Sequence, residues 1–435
     1  MVSLAIRRSR GMSGDVKIPG DKSISHRSIM LGALAQGTTT VSNFLTSDDC
    51  LHTAQCFRQL GIAIEQEATT VTVKGRGLRG LSEPGTVLDV GNSGTTMRLL
   101  AGILAGQPFY SVMTGDASIR RRPMGRVAKP LRAMGASVFG RDGGQLAPLT
   151  IMGGGLRAIQ YETEVASAQV KSAILLAGLF ADGWTEVREP LQSRNHTELM
   201  LQGLGAEVEV SERVVRVHGG PALRSGQWEV PGDISSAAFL LVAGLIVPNS
   251  RLRLLDVGLN PTRTGIIDVL QTMGGSIRVE NERVSAGEPI GDLVVESSKL
   301  RGCVVEGDLI PRLIDEIPVL AVAACFASGT TTIQDAAELK VKESNRIAAT
   351  ATELTKLGAN VTELPDGLEV RGGHRLHGTA CESHGDHRMA LALAIAGLGA
   401  DGTTTVAHAE AVNVSFPGFA EAMVGLGGEV EILCG

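Results

Sequence analysis

Apolar residues recur along the chain in two alternating patterns. In the first, a run that is apolar over most of its helical surface gives way to a turn and a β-rich stretch. Its copies are RSIMLGALAQGTTTV, TMRLLAGILAG, VKSAILLAGLFADGWTEV, SSAAFLLVAGLIVPNSRLRLL, IPVLAVAACFASGTTTI and RMALALAIAGLGADGTTTV. A helix that is apolar all round belongs inside a domain. In the second pattern a helix with more polar residues ends in a small apolar stretch, a glycine and a β-rich run. Its copies are CFRQLGIAI, PLRAMGASV, LQGLGAEVEV, VLQTMGGSI, LTKLGANV and MVGLGGEVEI. The shared glycines, Gly61, Gly135, Gly205, Gly274, Gly358 and Gly427, are spaced 74, 70, 69, 84 and 69 residues apart. Glycine just past a helix takes the left-handed backbone that ends it, and β-branched residues beyond it favour a strand. These more polar helices are placed outside or at one edge.

Six copies of one α/β unit in 435 residues predict two similar domains of three units each, with sheets around buried helices. A PGD turn occurs twice, at Pro19–Asp21 and Pro231–Asp233. Taken as chain crossings, the two turns place residues 19–231 in one domain and residues 1–18 with 232–435 in the other. Two crossings at one place make a natural hinge. The same motifs also read simply as turns.

Composition narrows the function. Aromatic residues are 3% of the chain and the formal charge is −6, so neither a base-stacking platform nor a basic nucleic-acid surface is expected. The apolar helical runs are short and broken by Gly, Asp or Ser, and none reads as a membrane span. The first ten residues hold Arg7, Arg8 and Arg10 but no long apolar run, so no secretory signal is read there. Cys50, Cys56, Cys303, Cys325, Cys381 and Cys434 lack tight CxxC spacing and read as reduced cytoplasmic thiols.

Candidate chemistry collects where the apolar helices begin. In GDKSISHRS the chain turns and enters a helix near Ser25; Lys22 and Ser23 stand at its start, with Arg27 on roughly the same face as Ser23. Free backbone N–H groups there favour an anion, although a capped, solvated helix start reads equally well. His26 is expected to be structural. GNSGTTMR brings Asn92 and the backbone around Gly94 to the second apolar helix as a possible anion cradle, without the order of a nucleotide-binding P-loop. GDASIRRRPMGR crowds Arg120, Arg121, Arg122 and Arg126 before a Pro and a Gly: a fixed loop for carboxylate or phosphate, or a solvated basic run. ASAQVKS places Ser167 and Gln169 at the third helix, Ser167 as a possible N-cap and Gln169 as a hydrogen-bonding group. Asp315 begins the fifth helix, and Lys342, Glu343 and Arg346 form a charged group in which Lys342 and Arg346 can share a helix face. A carboxylate among cations can work as an acid or base, or can be one half of a surface salt bridge. Asp386, His387 and Arg388 open the sixth. The set His377, Cys381, His384 and His387 lacks the spacing of a structural zinc site, and no metal is expected. Helix N-termini are partly positive, so one cleft facing all these starts would suit polyanions.

The stretches GDKSISHR, GNSGTTMRLLAG, RRPMGR, SAQVKSAILLAG, SRNHTE, DEIPVLAVAA, VKESNRI and DHRMALA together resemble the 3-phosphoshikimate 1-carboxyvinyltransferase (EPSP synthase) family over nearly the whole chain. The resemblance implies an inside-out α/β barrel in each of two closing domains, enolpyruvyl transfer from phosphoenolpyruvate to shikimate 3-phosphate, no cofactor, and a monomer. It implies that Ser23, Arg27, Ser167, the Ala168 backbone, Gln169, Ser193, Asp315 and Lys342 hold shikimate 3-phosphate, with Arg194 near its phosphate. Lys22, Arg122, Arg346, Arg388 and the backbone at Gly94 would hold phosphoenolpyruvate; Asn92, from the anion cradle, and His387, at the start of the sixth helix, are added as substrate-binding residues without assignment to either substrate. It assigns proton transfer to Asp315 and Glu343, with Lys22 as a participant, and makes the chain a glyphosate target, Gly94 leaving the room that inhibitor needs. Three departures stand out. Val414 and Ser415 precede Phe416 where some members have a lysine, Glu338 stands where some have Asn, and Ala168 replaces a serine. A sister enzyme acting on UDP-N-acetylglucosamine usually carries a cysteine in the loop near residues 110–125, which this chain lacks. A non-catalytic phospho-ligand binder and an RNA-end-modifying enzyme are the remaining alternatives; retained Lys22, Asp315, Glu343 and Arg388 speak against the first, and the acidic balance and few aromatics against the second.

Overall fold

A computed structural model describes residues 2–285 and 287–434. Twelve helices of seven or more residues alternate along them. They are α1 (Lys22–Leu34), α2 (Asp48–Gln59), α3 (Gly94–Ala105), α4 (Gly125–Ala133), α5 (Ala168–Gly178), α6 (His196–Gly203), α7 (Ile234–Ile246), α8 (Gly265–Thr272), α9 (Ile317–Phe326), α10 (Arg346–Lys356), α11 (His387–Gly399) and α12 (Phe419–Gly425). The odd-numbered helices are the apolar runs and are buried almost throughout: in α7 every residue from Ile234 to Leu245 is out of solvent. The even-numbered helices, α2 and α10 among them, bury one face and expose the other. Past each even-numbered helix the expected glycine takes a left-handed φ, between +85° and +110° at all six positions. An L side chain there would strain the turn into the following strand.

The strands make six sheets of four. In one, Gln36–Ser42 pairs antiparallel with Thr70–Arg76, which pairs antiparallel with Ala63–Glu67, and the short Gln227–Glu229 adds in parallel at the other edge. The register sets Val41 opposite Val71 and Ile64 opposite Val73, all four buried. Alternation along these strands turns their other residues, such as Glu65 and Thr72, away from the core.

The chain divides into two compact units. The central unit comprises Gly20–Val230 with Val284–Glu288; the terminal unit comprises Met1–Pro19, Pro231–Arg283 and Pro289–Gly435. Each has three of the sheets and its own apolar core. Strands Val2–Arg7 and Ser13–Lys17 enter two sheets of the terminal unit, so the first residues complete it. The sequence reading left residues 284–288 with the terminal unit. They join the central one because Gly287 lies against Leu199 and Glu288 pairs with buried His196. Inside the central unit α3 and α5 meet closely at Gly102, where a Cβ would lie 2.2 Å from the carbonyl oxygen of Ala173. A low-aromatic chain with small residues at its helix contacts can pack buried helices this way. No helix among the described residues is long and apolar enough to cross a membrane.

Candidate active site

In the central unit three odd-numbered helices present their N-termini with polar caps. Asp21, Ser93 and Ser167 cap α1, α3 and α5 through bonds from Ile24 N, Thr96 N and Val170 N. The cap at Asp21 starts α1 at Lys22, three residues ahead of the expected Ser25, so Lys22 and Ser23 belong to the first turn. Lys22 Nζ lies 3.4 Å from Asp49 Oδ2 on α2. Arg27 is buried and each of its three nitrogens makes a bond: Nε donates to Thr197 Oγ1 at 2.7 Å, Nη2 to Ser172 Oγ at 2.9 Å and Nη1 to the carbonyl of Ser23 at 3.0 Å. Burial lowers its pKa to about 10, with Glu198 and Asp21 opposing, so it stays charged at neutrality. His26 packs beneath, Nδ1 2.6 Å from Thr53 Oγ1; burial, with Lys22 and Arg27 nearby, holds it far below the ordinary histidine range and neutral.

The arginine loop sorts itself by burial. Arg120 and Arg121 face solvent, whereas Arg122 is buried, donating from Nη2 to Asn92 Oδ1 at 2.9 Å and to Ser118 Oγ at 3.3 Å. Gly94 sits between two guanidiniums: a Cβ there would lie 3.1 Å from both Arg122 Nη1 and Arg98 Nη1. Arg98, which the sequence reading did not assign, donates to Gln169 Oε1, while Gln169 Nε2 reaches Thr95 Oγ1 at 3.0 Å. The structure thus brings Asn92, Gly94, Arg122 and Gln169 together with Arg98 as the added member. Ser193 is buried, its N–H donating to Glu189 at 3.4 Å; Arg194 follows it, close enough to Arg27 for mutual repulsion. Ala168 is the first residue of α5. Behind this set Lys171, 1% exposed, lies 2.8 Å from both Glu189 and Glu198. Burial alone would depress this ammonium; the two carboxylates outweigh it and raise its pKa.

The terminal unit gathers a second set around Arg346, whose side chain is 1% exposed. Its Nε and Nη2 reach Asp386 Oδ2 and Oδ1 at 2.8 and 3.2 Å, its Nη1 reaches Asp315 Oδ1 at 3.1 Å, and its Nη2 reaches Glu343 Oε2 at 2.6 Å. Burial opposes the guanidinium's charge, but Asp386, Glu343 and Asp315 together raise its pKa beyond the ordinary value. Burial likewise pushes the Asp386 carboxyl up, and Arg346 overrides it and holds the pKa below the usual range. Lys342 Nζ is 3.6 Å from Asp315 Oδ1. Arg388 donates from Nη1 to the Asp315 carbonyl at 3.3 Å, and its Nη2 is 3.7 Å from Asp315 Oδ2. Two placements differ from the sequence reading. Asp315 sits in a short 3-10 turn, Ile314–Glu316, before α9 rather than within it. Lys342 and Arg346 share no helix face, because a 3-10 turn ends at Val341 and α10 starts only at Arg346, capped by Asn345. Both cations still converge on Asp315. His387 begins α11 and is buried; Asp386 caps that helix through Arg388 N.

The departures are also placed. Val414 ends a 3-10 turn, and Ser415 is buried with its carbonyl bonded by Ser236 Oγ at 3.0 Å, so no basic side chain comes from these two positions. Glu338 lies in the turn Ala337–Val341. Among the described residues, no group of three or more His, Cys, Asp or Glu is arranged to hold a metal ion. Cys50, Cys56, Cys303, Cys325 and Cys381 are free thiols; the side chain of Cys434 lies outside the described residues.

Six repeated α/β units, with cations and hydrogen-bond donors gathered where the buried helices begin, define an α/β protein built to handle anionic substrates. The family EPSP synthase (3-phosphoshikimate 1-carboxyvinyltransferase) matches residues 6–423, and the chain belongs to that family. It is 60% identical over 422 residues to the 3-phosphoshikimate 1-carboxyvinyltransferase of Pelotomaculum thermopropionicum, covering 97% of this chain and 98% of that one. With the enzyme of the same name from Desulforudis audaxviator it shares 57% over 423 residues, 97% and 99% of the two chains. The solved EPSP synthase from Acinetobacter baumannii superposes with a TM-score of 0.91 at 44% identity over 100% of both chains. The enolpyruvyl transferase NikO from Streptomyces tendae matches at TM-score 0.81 and 20% identity over 99% of both, which shows a shared fold alone.

Proposed function

We propose that this chain transfers the enolpyruvyl group of phosphoenolpyruvate to the 5-hydroxyl of shikimate 3-phosphate, releasing phosphate. The observation that carries this reading is the pair of carboxylates Asp315 and Glu343 held on one buried guanidinium, with Lys342 and Arg388 at Asp315, in a chain 60% identical to an enzyme of that name. A carboxylate within hydrogen-bond reach of a reacting hydroxyl can accept its proton.

In this reading Ser23, Arg27, Ser167, the Ala168 backbone, Gln169, Ser193 and Arg194 hold shikimate 3-phosphate, with Lys342 and Asp315. Lys22, Asn92, the Gly94 backbone, Arg122, Arg346, His387 and Arg388 hold phosphoenolpyruvate. Arg346 already spends its donors on three carboxylates, so phosphoenolpyruvate engages it by replacing one of them. The displaced carboxylate is then available for proton transfer. Asp315 takes the 5-hydroxyl proton as the oxygen attacks carbon 2; carbon 3 is protonated, with Glu343 and Lys22 serving that exchange. Loss of phosphate and of a carbon 3 proton then restores the enol ether. The free thiols Cys50, Cys56, Cys303, Cys325 and Cys381 support a reducing cytoplasm.

Phosphate release from phosphoenolpyruvate tests this, with shikimate 3-phosphate or UDP-N-acetylglucosamine as acceptor. Release that requires shikimate 3-phosphate, with the enol ether product identified by mass, is the expected result. Release only with the nucleotide sugar refutes the proposed acceptor, and release with neither refutes catalysis.

Membership of the EPSP synthase family makes glyphosate an expected inhibitor in the phosphoenolpyruvate region, with Gly94 as the position that leaves it room. In Gly94→Ala the new methyl meets the Arg122 and Arg98 guanidinium tips at 3.1 Å, so Arg98 and Arg122, the latter placed at phosphoenolpyruvate in this reading, must give way by a few tenths of an ångström. Overpacking of this kind costs about 1–3 kcal/mol, so the Michaelis constant for phosphoenolpyruvate should rise about five- to hundredfold. The glyphosate inhibition constant should rise at least as much. Parallel titrations of both ligands check it, and unchanged constants would refute the placement of Gly94 in the site.

A further inference from the structure

The helix that begins with Arg346 and the loop that ends with Asp386 are joined a second time, away from the site. Two turns along α10, about 10 Å from its start, the Glu353 side chain is fully buried. Its Oε1 lies 2.9 Å from His384 Nε2 and 2.8 Å from Lys356 Nζ, and its Oε2 accepts from the backbone N–H of Glu382 at 3.0 Å and from Lys356 at 2.9 Å. Glu382 continues the chain of contacts: its Oε1 accepts from the backbone N–H of His384 at 3.1 Å and lies 2.8 Å from His408 Nδ1. Ser383 Oγ closes the turn, donating to the His408 carbonyl at 3.1 Å and accepting from Gly385 N at 3.2 Å. His384 and His408 both have left-handed φ, +56° and +53°. Residues with a Cβ hold that conformation at a cost of about 1–2 kcal/mol, and only where their surroundings over-determine it. Burial pushes the Glu353 carboxyl up, yet its bonds from Lys356, Glu382 N and His384 keep the pKa below the ordinary range.

We propose that Glu353 is a positioning residue for phosphoenolpyruvate binding: by fastening α10 to the 382–385 turn, it fixes Arg346 against Asp386. The two ends of this brace lead directly to that pair, Arg346 at the start of α10 and Asp386 three residues past Ser383. The pair is bidentate, at 2.8 and 3.2 Å, and a two-point bond tolerates little sliding of one element on the other. Misplacing a binding group by about 1 Å can cost about a hundredfold in rate. The proposal rests on the reading of Arg346 as a phosphoenolpyruvate contact.

The test is steady-state turnover of the full chain beside Glu353→Gln and His384→Asn, with thermal unfolding followed on each. Glu353→Gln removes the charge at the centre of the brace. His384→Asn removes one ring while keeping a residue that tolerates left-handed backbone. The expected result for Glu353→Gln is a rise of at least about fivefold, about 1 kcal/mol, in the Michaelis constant for phosphoenolpyruvate, with that for shikimate 3-phosphate within about twofold of wild type. His384→Asn should move the same constant in the same direction by less. A purely structural role would lower Tm and leave the ratio of the two constants alone, and that outcome overturns the proposal. Should Glu353→Gln fail to fold, His384→Asn decides alone: an unaltered ratio of constants overturns the proposal and a raised one supports it. Wild-type protein without turnover on shikimate 3-phosphate overturns the functional reading and this proposal with it, whereas active wild type with unaltered folded variants overturns the positioning role only.

Discussion

Replacing Arg346 with methionine should lower kcat/KM by about a hundred- to thousandfold, the loss expected when one charge-stabilising group is removed from a site that develops charge. The same change should destabilise the terminal unit by about 3–5 kcal/mol, because removing one partner of a buried ion pair leaves buried charge behind. Asp386, fully buried, loses its bidentate cation, while Asp315 keeps Lys342 and Arg388. Arg346→Lys should recover little of either quantity, since an ammonium lacks the planar fork that meets Asp386 at two points while reaching Asp315 and Glu343.

The pH dependence separates charge from packing. In the wild type the pKa of Asp386 is depressed, so the stability it contributes is present above the ordinary aspartate range and is lost as pH falls through the depressed value. In Arg346→Met the cause of that depression is gone, and burial pushes the carboxyl up instead. A carboxyl with a raised folded pKa favours the folded state more as pH falls. The stability gap between variant and wild type should therefore be widest near neutrality and should narrow toward pH 4. Unfolding followed by circular dichroism at both pH values measures it, and a gap independent of pH would show lost packing rather than lost charge.

What could be read from the letters alone follows from what repeats. The six glycines past the outer helices stand out because one backbone need, a left-handed turn, recurs at nearly constant spacing, and all six have that φ. The buried helices stand out because Ile234–Leu245 and its counterparts lack a polar face. Contacts made across sequence distance leave no period. Lys171 was passed over because its partners, Glu189 and Glu198, are 18 and 27 residues away. Arg98 lay within a quoted motif, GNSGTTMR, but only the fold shows its guanidinium beside Gly94 and Gln169. The start of α1 was placed late because Asp21 reads as part of a PGD turn and proved to be its cap. Lys342 and Arg346 have helical spacing without a helix between them, and their convergence on Asp315 is tertiary.

Lys171 supplies the largest expected loss of stability in the central unit. It is 1% exposed and lies 2.8 Å from each of two carboxylates that are themselves buried. Lys171→Met keeps most of the side chain's volume and removes its charge, so Glu189 and Glu198 are left facing each other in the core at an expected cost of about 3–5 kcal/mol. The pKa of Lys171 is raised in the folded state, so its contribution is complete at neutrality and fades only as pH rises above the ordinary lysine range. Adding Glu189→Gln and Glu198→Gln to Lys171→Met should restore part of the loss, since neutral amides carry no uncompensated charge. The readout can be confined to one unit, because the only two tryptophans, Trp184 and Trp228, both lie in the central unit. Denaturant unfolding followed by their fluorescence should move to a lower midpoint in Lys171→Met and stay near the wild-type midpoint in Arg346→Met. The activity of folded Lys171→Met should fall through shikimate 3-phosphate rather than phosphoenolpyruvate. Glu198 follows Thr197, which holds the Arg27 guanidinium, and Lys171 precedes Ser172, which holds the same group. A fluorescence midpoint unchanged in Lys171→Met would mean that the two carboxylates find protons or new partners without cost, and the buried triad would then have no part in stability.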